Sequence, residues 1–219
     1  MKTRLFLVLT FLLSLGTIVN GQVFSYGARL GMAFPGFRDE KVASQRITPT
    51  LGVSGSLRLT DAFQIVAEVG YQRNGNKFTN HYWDAQAQVV DDSTYLVKTN
   101  LDYIRVPLYF RLNLGNANKF YLQAGGYYGY LLHANYTGKL FGEMVSKVPI
   151  RKGLSVHDYG ILLGGGIETP IRTGLTVALD LKYQIGLKDL NTNPMIIGNS
   201  QPIKNKGLSM SMGFMVDID

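Results

Sequence analysis

Leu175-Thr176-Val177-Ala178-Leu179-Asp180-Leu181-Lys182-Tyr183 alternates apolar and polar residues along its length. Phe63-Gln64-Ile65-Val66-Ala67-Glu68-Val69-Gly70-Tyr71 shows a similar alternation much earlier in the chain. A period of two over about ten residues, with turn residues between the segments, is typical of strands in a membrane-spanning β-barrel. A closed barrel can cross a bilayer because closure pairs every backbone N–H and C=O group.

Eight segments carry this pattern, and the links between them alternate between short and long. The short links, 60–62, 113–118 and 169–173, contain turn-forming residues such as Asp61 and Pro170. We therefore predict an all-β fold, an eight-stranded antiparallel up-and-down transmembrane β-barrel, with short periplasmic turns and long outer loops. The predicted strands are 23–34, 48–60, 63–74, 99–112, 119–132, 157–168, 174–186 and 206–218, and the long links are 35–47, 75–98, 133–156 and 187–205.

The first 21 residues have the organisation of a secretory signal peptide. Lys2 and Arg4 precede a nearly continuous apolar run over 5–19, which is rather short for a membrane anchor helix. We predict cleavage after Gly21, so that 1–21 is the signal peptide and 22–219 is one outer-membrane β-barrel domain. The predicted location is therefore the cell outer membrane.

Composition limits the classes of partner. The 219 residues include no cysteine and carry a formal net charge of +7 with a pI near 9.5. A basic exported protein without an aromatic-plus-basic recognition motif is not predicted to bind nucleic acid. Outer-membrane lipid and lipopolysaccharide are the predicted partners of the positive charge, and another membrane or surface protein is a further candidate. The three histidines match no compact ligand motif, so we predict no metal and no cofactor.

Ten charged residues within the strands fall on the parity that carries glycine and serine. We place the continuous apolar parity in lipid and this polar parity in the lumen. Five cations then face five anions, which predicts a structural ion-pair plug, with a ligand or proton site as the alternative. The predicted lumen network is Arg29, Arg58, Glu68, Arg105, Arg111, Asp158, Glu168, Asp180, Lys182 and Asp217.

The long links contain two further groups of candidate residues. Basic residues of the third and fourth links predict a collar for lipopolysaccharide phosphates, with ordinary solvated charge as the alternative: Lys139, Lys147, Arg151, Lys152, Lys188, Lys204 and Lys206. Aromatic residues of the second link either anchor a partner protein or pack within a strand hairpin above the membrane: Phe78, Tyr82, Trp83 and Tyr95.

Several segments resemble, in order, the PorT-like outer-membrane β-barrel family. They are Ala67-Glu68-Val69-Gly70-Tyr71-Gln72-Arg73-Asn74-Gly75, Leu101-Asp102-Tyr103-Ile104-Arg105-Val106-Pro107-Leu108, the glycine-rich 120–132, Asp158-Tyr159-Gly160 with Gly164-Gly165-Gly166-Ile167-Glu168, and Tyr183-Gln184-Ile185-Gly186-Leu187. Arg105 stands where the family often has an acid, and the chain end, Asp217-Ile218-Asp219, lacks the usual terminal aromatic residue. The resemblance implies an eight-stranded outer-membrane barrel. One branch of the family is tied to the type IX protein-secretion machinery, and the motifs do not distinguish the branches.

Three functional hypotheses follow. The first is a non-enzymatic barrel with a filled lumen and outer loops that bind a partner or lipopolysaccharide. The second is an accessory component of an outer-membrane transport or type IX secretion complex. The third is a rim lipid hydrolase in which Ser155, His157 and Glu143 act together. A diffusion pore is not predicted, because side chains fill barrels of about eight strands.

Overall fold

A computed structural model describes most of the chain after residue 22. The described ranges are 23–38, 46–84, 89–115, 119–140, 143–197 and 201–218, with only the backbone described for 78–84, 89–95, 139–140 and 143–146. Within these ranges, no helix has both the length and the apolar character needed to span a membrane. The helices found in the described ranges are a 3-10 turn at Arg151–Gly153 and one short α-helix, α1, at Pro194–Ile197.

Eight antiparallel strands close into a barrel. Each pairs with its neighbour in the chain order of barrel strands, and the first pairs with the last from Phe24↔Ile218 to Phe37↔Asn205. The predicted eight-stranded antiparallel up-and-down barrel is therefore confirmed. The barrel strands are β1 (Phe24–Phe37), β2 (Thr48–Arg58), β3 (Phe63–Asn74), β5 (Val89–Leu114), β6 (Lys119–Leu140), β8 (His157–Arg172), β9 (Leu175–Gly186) and β10 (Asn205–Ile218).

Two further strands extend the sheet beyond the barrel. β4 (Lys77–Asp84) pairs with the first part of β5, and β7 (Glu143–Pro149) pairs with the last part of β6. The strand hairpin given as one alternative for 75–98 is thus present, and β5 begins ten residues before the predicted 99. The prediction that 133–156 is a loop is wrong, because β6 continues to residue 140 and pairs with β7. Ten strand residues span roughly 30 Å, so both hairpins rise well above the barrel mouth.

The barrel has its polar side chains inside and its apolar side chains outside. Arg111 and Asp180 are each only 2% exposed, while their outward neighbours Phe110 and Leu179 are 64% and 43% exposed. This is the reverse of a soluble barrel and places an apolar wall where lipid would contact it. The end with the links 59–62, 115–118 and 173–174 is called the turn end below, and the opposite end is called the loop end.

Candidate functional site

Asp180 on β9 is the centre of a buried polar network in the lumen. Its carboxylate accepts hydrogen bonds from the Tyr121 hydroxyl at 2.7 Å and from Gln123 Nε2 at 3.2 Å. It also pairs with Arg29 Nη1 and lies 3.5 Å from Arg111 Nη2. These partners come from β1, β5 and β6, so one carboxylate links strands on opposite sides of the barrel.

A second carboxylate, Glu68 on β3, joins the same network. Lys182 Nζ lies 2.6 Å and Arg29 Nε 2.9 Å from Glu68 Oε1, and the Tyr109 hydroxyl donates a hydrogen bond to it. Arg29 therefore bridges Glu68 and Asp180, which makes one continuous network of five charged groups with Lys182 and Arg111. Buried charges are tolerated in a protein interior when they are paired and hydrogen-bonded in this way.

Arg111 extends the network toward the turn end. Its guanidinium pairs with Glu168 at 3.1 Å, and its Cζ lies 3.8 Å from the centre of the Tyr121 ring. A guanidinium stacked on an aromatic face gains a cation–π attraction in addition to its ion pair. The Tyr121 ring thus supports Arg111 while its hydroxyl binds Asp180.

A separate ion pair lies toward the loop end. Arg105 Nη2 is 3.1 Å from Asp158, which also accepts a hydrogen bond from Asn205 Nδ2 at 2.8 Å. Arg105 also donates to Gln184 Oε1, and its Cζ lies 4.3 Å from the centre of the Tyr127 ring. Five strands contribute to this group of side chains, which we call the Asp158 layer. It crosses the lumen, as does the network around Asp180, which we call the Asp180 layer.

Two of the ten predicted network residues make no ion pair among the described residues. Arg58 and Asp217 both face the turn end, and Asp217 accepts a hydrogen bond from the Ser25 hydroxyl at 2.6 Å. The sequence parity placed them inside the barrel without showing whether any opposite charge would be within reach. The remaining eight residues form the pairs described above.

A cavity of ≈ 70 Å³ lies in the lumen between the Asp180 and Asp158 layers. Arg29, Glu68, Arg105 and Lys182 are among its lining residues. This volume is small beside the roughly 300–1,000 Å³ of pockets that hold small-molecule ligands. The arrangement is therefore suited to holding strands together rather than to passing solutes.

An apolar lid closes the loop end of the barrel. The segments after β7 and around α1 fold over the mouth and pack against inward residues of β5 and β6. Ser155 N donates to Leu190 O at 2.8 Å, and Thr192 N donates to Gly153 O at 3.0 Å, so the two segments are hydrogen-bonded to each other. The buried residues of this apolar cluster are Ile150, Leu154, Leu190 and Ile197 of the lid and Leu101, Tyr103, Leu131 and Ala134 of the barrel strands.

Replacing Gly153 tests whether the lid is held by close packing. A Cβ at this position would lie 2.9 Å from atoms of Ile196 and Ile197, so we expect Gly153→Val to push α1 off the mouth. Overpacking costs about 1–3 kcal/mol, so trypsin cleavage after Lys188 in the folded barrel should become roughly tenfold faster or more. Gly36→Val is the matched control, because its nearest neighbour would be 3.9 Å away. Equal cleavage rates in the two variants would contradict a packed lid.

A family model described as outer membrane protein β-barrel domain matches residues 20–191. The chain belongs to this family. The family places the protein in the outer membrane. None of the curated proteins matches this chain.

Several solved barrels are similar to the chain. Neisserial surface protein A is 14% identical with a TM-score of 0.48, covering 90% of this chain and 99% of its own. OprG from Pseudomonas aeruginosa is 12% identical with a TM-score of 0.48, covering 90% and 95%. Ail of Yersinia pestis, solved with the heparin analogue sucrose octasulfate, is 9% identical with a TM-score of 0.43, covering 88% and 98%. Such distant likenesses do not indicate what this family member binds.

The predicted basic collar is not a ring of loop residues. Lys139 lies on β6, Lys147 on β7 and Lys206 on β10, so these three belong to strands. Lys147, Arg151 and Lys152 are exposed, whereas Lys188, Lys204 and Lys206 are half-buried and the side chain of Lys139 is outside the described residues. The predicted loop aromatics also lie on strands, namely Phe78, Tyr82 and Trp83 on β4 and Tyr95 on β5, and their side chains are outside the described residues.

Ser155 and His157 are not arranged as a nucleophile and its base. The Ser155 hydroxyl donates to the backbone carbonyl of His157 at 2.9 Å. The His157 ring instead contacts the Tyr128 hydroxyl through Nδ1 at 2.6 Å. A hydrolase would need the serine hydroxyl on the imidazole, with a third group orienting the ring. Glu143, the predicted orienting residue, has its side chain outside the described residues.

A polar group on the outer wall was not among the residues predicted from the sequence. Arg73 donates to Asp102 at 2.5 and 3.2 Å, and the Tyr71 hydroxyl donates to the same carboxylate at 2.7 Å. One sequence signal was present: Arg73 shares the outward parity of Val69 and Tyr71, immediately beyond the lipid-facing part of β3. A charge at that position belongs at the membrane interface rather than in the lumen.

Proposed function

We propose that this protein is a non-enzymatic, non-conducting outer-membrane barrel that binds lipopolysaccharide or a partner protein through side chains at its loop end. The observation that carries the proposal is the filled interior. The Asp180 and Asp158 layers cross the lumen, and the lid covers the mouth. Two exposed basic side chains, Lys147 and Arg151, remain available outside. With short turns in the periplasm, the loop end faces the cell surface.

Conductance tests the filled lumen directly. We expect purified protein in planar lipid bilayers to give no stable, well-resolved channel, because ion pairs and hydrogen bonds occupy the cross-section. An open outer-membrane porin in the same bilayers is the positive control. A stable channel of uniform conductance in the wild-type protein would overturn the proposal.

The same preparation, incubated with lipid A or phospholipid, should release no fatty acid. Release of fatty acid would support the hydrolase hypothesis.

The finer assignment to the PorT-like branch is part of the same proposal. The resembling motifs contribute Glu68, Asp158 and Glu168, all of which face the lumen network. These motifs therefore support a shared barrel interior, while any secretion partner would bind at the loop end. Pull-down of the intact complex from solubilised outer membranes tests the alternative role as a secretion accessory. Stoichiometric recovery of secretion components would favour that role over a lone barrel.

We also propose that residues 1–21 are removed on export. The family match begins at residue 20, close to the proposed cleavage after Gly21. The mass of the protein purified from outer membranes tests this, since the mature chain should begin at Gln22. A measured mass that corresponds to a chain still carrying residues 5–19 would contradict cleavage.

A further inference from the structure

The outer wall carries a polar cleft just beyond the lipid-facing surface of the barrel. The cleft has a volume of ≈ 540 Å³ and lies outside the lumen, on β3, β5, β6 and β7 and the turn that follows β7. We call it the rim cleft. Its lining residues are Arg73, Asp102, His133, Ala134, Asn135, Lys147, Pro149 and Arg151.

Strand register brings the first residues of the cleft into one row. Arg73 on β3 pairs with Asp102 on β5, and Asp102 pairs with His133 on β6. A bulge between Asp102 and Tyr103 inserts Leu132 as an extra residue, so His133 points outward rather than following the inward Leu131. Bulges commonly re-aim side chains in this way. Without the bulge, the row would end at β5.

Strand β7 and the turn after it contribute the remaining cations. Lys147 pairs in register with Thr137, and Pro149 pairs with Asn135, which lines the cleft. Arg151 donates from Nε and Nη2 to Leu131 O at 3.3 Å, which fixes its stem against β6. Lys147 and Arg151 are both exposed, so their charges are available to a ligand.

The cleft and its border have a net positive charge. The lining residues include three cations, Arg73, Lys147 and Arg151, and one carboxylate, Asp102. Arg73 forms an ion pair with this carboxylate. Arg46 adds a fourth cation at the border, because its Nη1 donates to Asn100 and Asn100 Nδ2 donates to Asn135 in the cleft. Burial lowers the pKa of Arg46, and the nearby Arg73 guanidinium lowers it further, which shows that the two cations interact. Four cations against one anion give +3, with His133 left out of the sum.

The height of the cleft indicates the source of its ligand. Arg73 lies two residues beyond Tyr71, and Tyr128 and Tyr130 lie just below His133 on β6. Outward tyrosines mark the membrane interface, and two strand residues rise about 7 Å. The cations therefore lie at the level of the lipid headgroups, which carry phosphate groups.

We propose that the rim cleft is a binding site for the phosphate groups of an outer-leaflet lipid headgroup, with lipid A as the occupant. The proposal rests on the proposed function and narrows its ligand to one lipid and one site. Arg73 and Arg151 offer planar donors suited to phosphate oxygens, and Lys147 offers a mobile ammonium group. Asn135 and His133 supply neutral polar groups between them.

The test titrates labelled lipid A against the full mature protein in phosphatidylcholine nanodiscs. Each basic contact near a membrane surface is worth about fivefold in affinity, so Lys147→Gln with Arg151→Gln should weaken binding about 30-fold. The matched control is Lys152→Gln with Lys188→Gln, which removes two cations from the same end but outside the cleft. The control should change binding less than about threefold, since it leaves every proposed contact intact. Heat-modifiable gel mobility confirms that each variant is a folded barrel.

The outcomes separate the cleft from the broader proposal. An equal loss of lipid A affinity in the two double variants would overturn the cleft as the binding site and would indicate a diffuse basic surface instead. No binding by the wild-type protein would overturn the cleft together with the lipopolysaccharide part of the proposed function, while a silent conductance trace would still support the filled lumen. Dephosphorylated lipid A should bind as weakly to wild type as lipid A binds to the cleft variant. Displacement of lipid A by millimolar inorganic phosphate would overturn the assignment to a lipid.

Discussion

Asp180→Ala is expected to cost about 3–5 kcal/mol in the free energy of unfolding, because it removes one partner from a buried charge network. Asp180 is only 2% exposed, and its loss leaves Arg29 and Arg111 each with one carboxylate instead of two. Tyr121 and Gln123 lose their acceptor as well. The measurement is urea unfolding of the barrel in lipid vesicles, followed by tryptophan fluorescence.

Asp217→Ala is the matched control for Asp180→Ala. Asp217 also lies on a barrel strand, but its only side-chain contact among the described residues is the hydrogen bond from the Ser25 hydroxyl. We expect a loss of about 1 kcal/mol, the usual size for one hydrogen bond. A loss at Asp180 no larger than the loss at Asp217 would contradict the central role of Asp180. It would also mean that lumen charge contributes little to holding the strands.

The position of the charges was predictable, whereas their pairing was not. Alternation along one strand is enough to place Asp180 and Lys182 on the inner face, because successive side chains point to opposite sides. The partner of a lumen charge comes from another strand, as Arg29 and Asp180 show with 151 residues between them. Parity does not give the height of each side chain in the barrel. Arg58 and Asp217 therefore entered the predicted network without an ion-pair partner among the described residues.

The sequence gives less information about the loop end for a physical reason. The alternation weakens where β5 and β6 leave the bilayer, because neither face of a hairpin in water is set by lipid. The lid residues Ile150, Leu154 and Leu190 lie in links without a period, and only their packing across the mouth explains why they are apolar. The bulge that turns His133 outward is not signalled by any residue type in the sequence around it. The sequence pattern therefore predicts the outward position of Arg73 but not the other residues of the rim cleft.

Gly166→Val is expected to cost about 3 kcal/mol or more, or to prevent folding, because it removes space that the lumen network uses. Gly166 faces inward on β8, and the Leu179 carbonyl and the Tyr121 hydroxyl occupy the space where a Cβ would stand. A valine must displace the Tyr121 ring, which supports Arg111 at 3.8 Å and donates to Asp180 at 2.7 Å. One substitution thus breaks a steric fit and two polar contacts. The measurements are the folded fraction after refolding into micelles and the free energy of unfolding of that fraction.

Gly126→Val is the control that separates the lumen from the lipid face. Gly126 is exposed on the neighbouring strand β6, and its Cβ would meet only the Gly160 carbonyl, at 3.4 Å. An added apolar side chain there contacts lipid, so the folded fraction and the free energy of unfolding should stay close to wild type. Gly166→Ala provides a smaller step at the inner position if the valine variant does not fold, and we expect it to lie between wild type and Gly166→Val. Equal stability of the inner and outer variants would contradict a tightly filled lumen, since only the inner glycine touches the network that fills it.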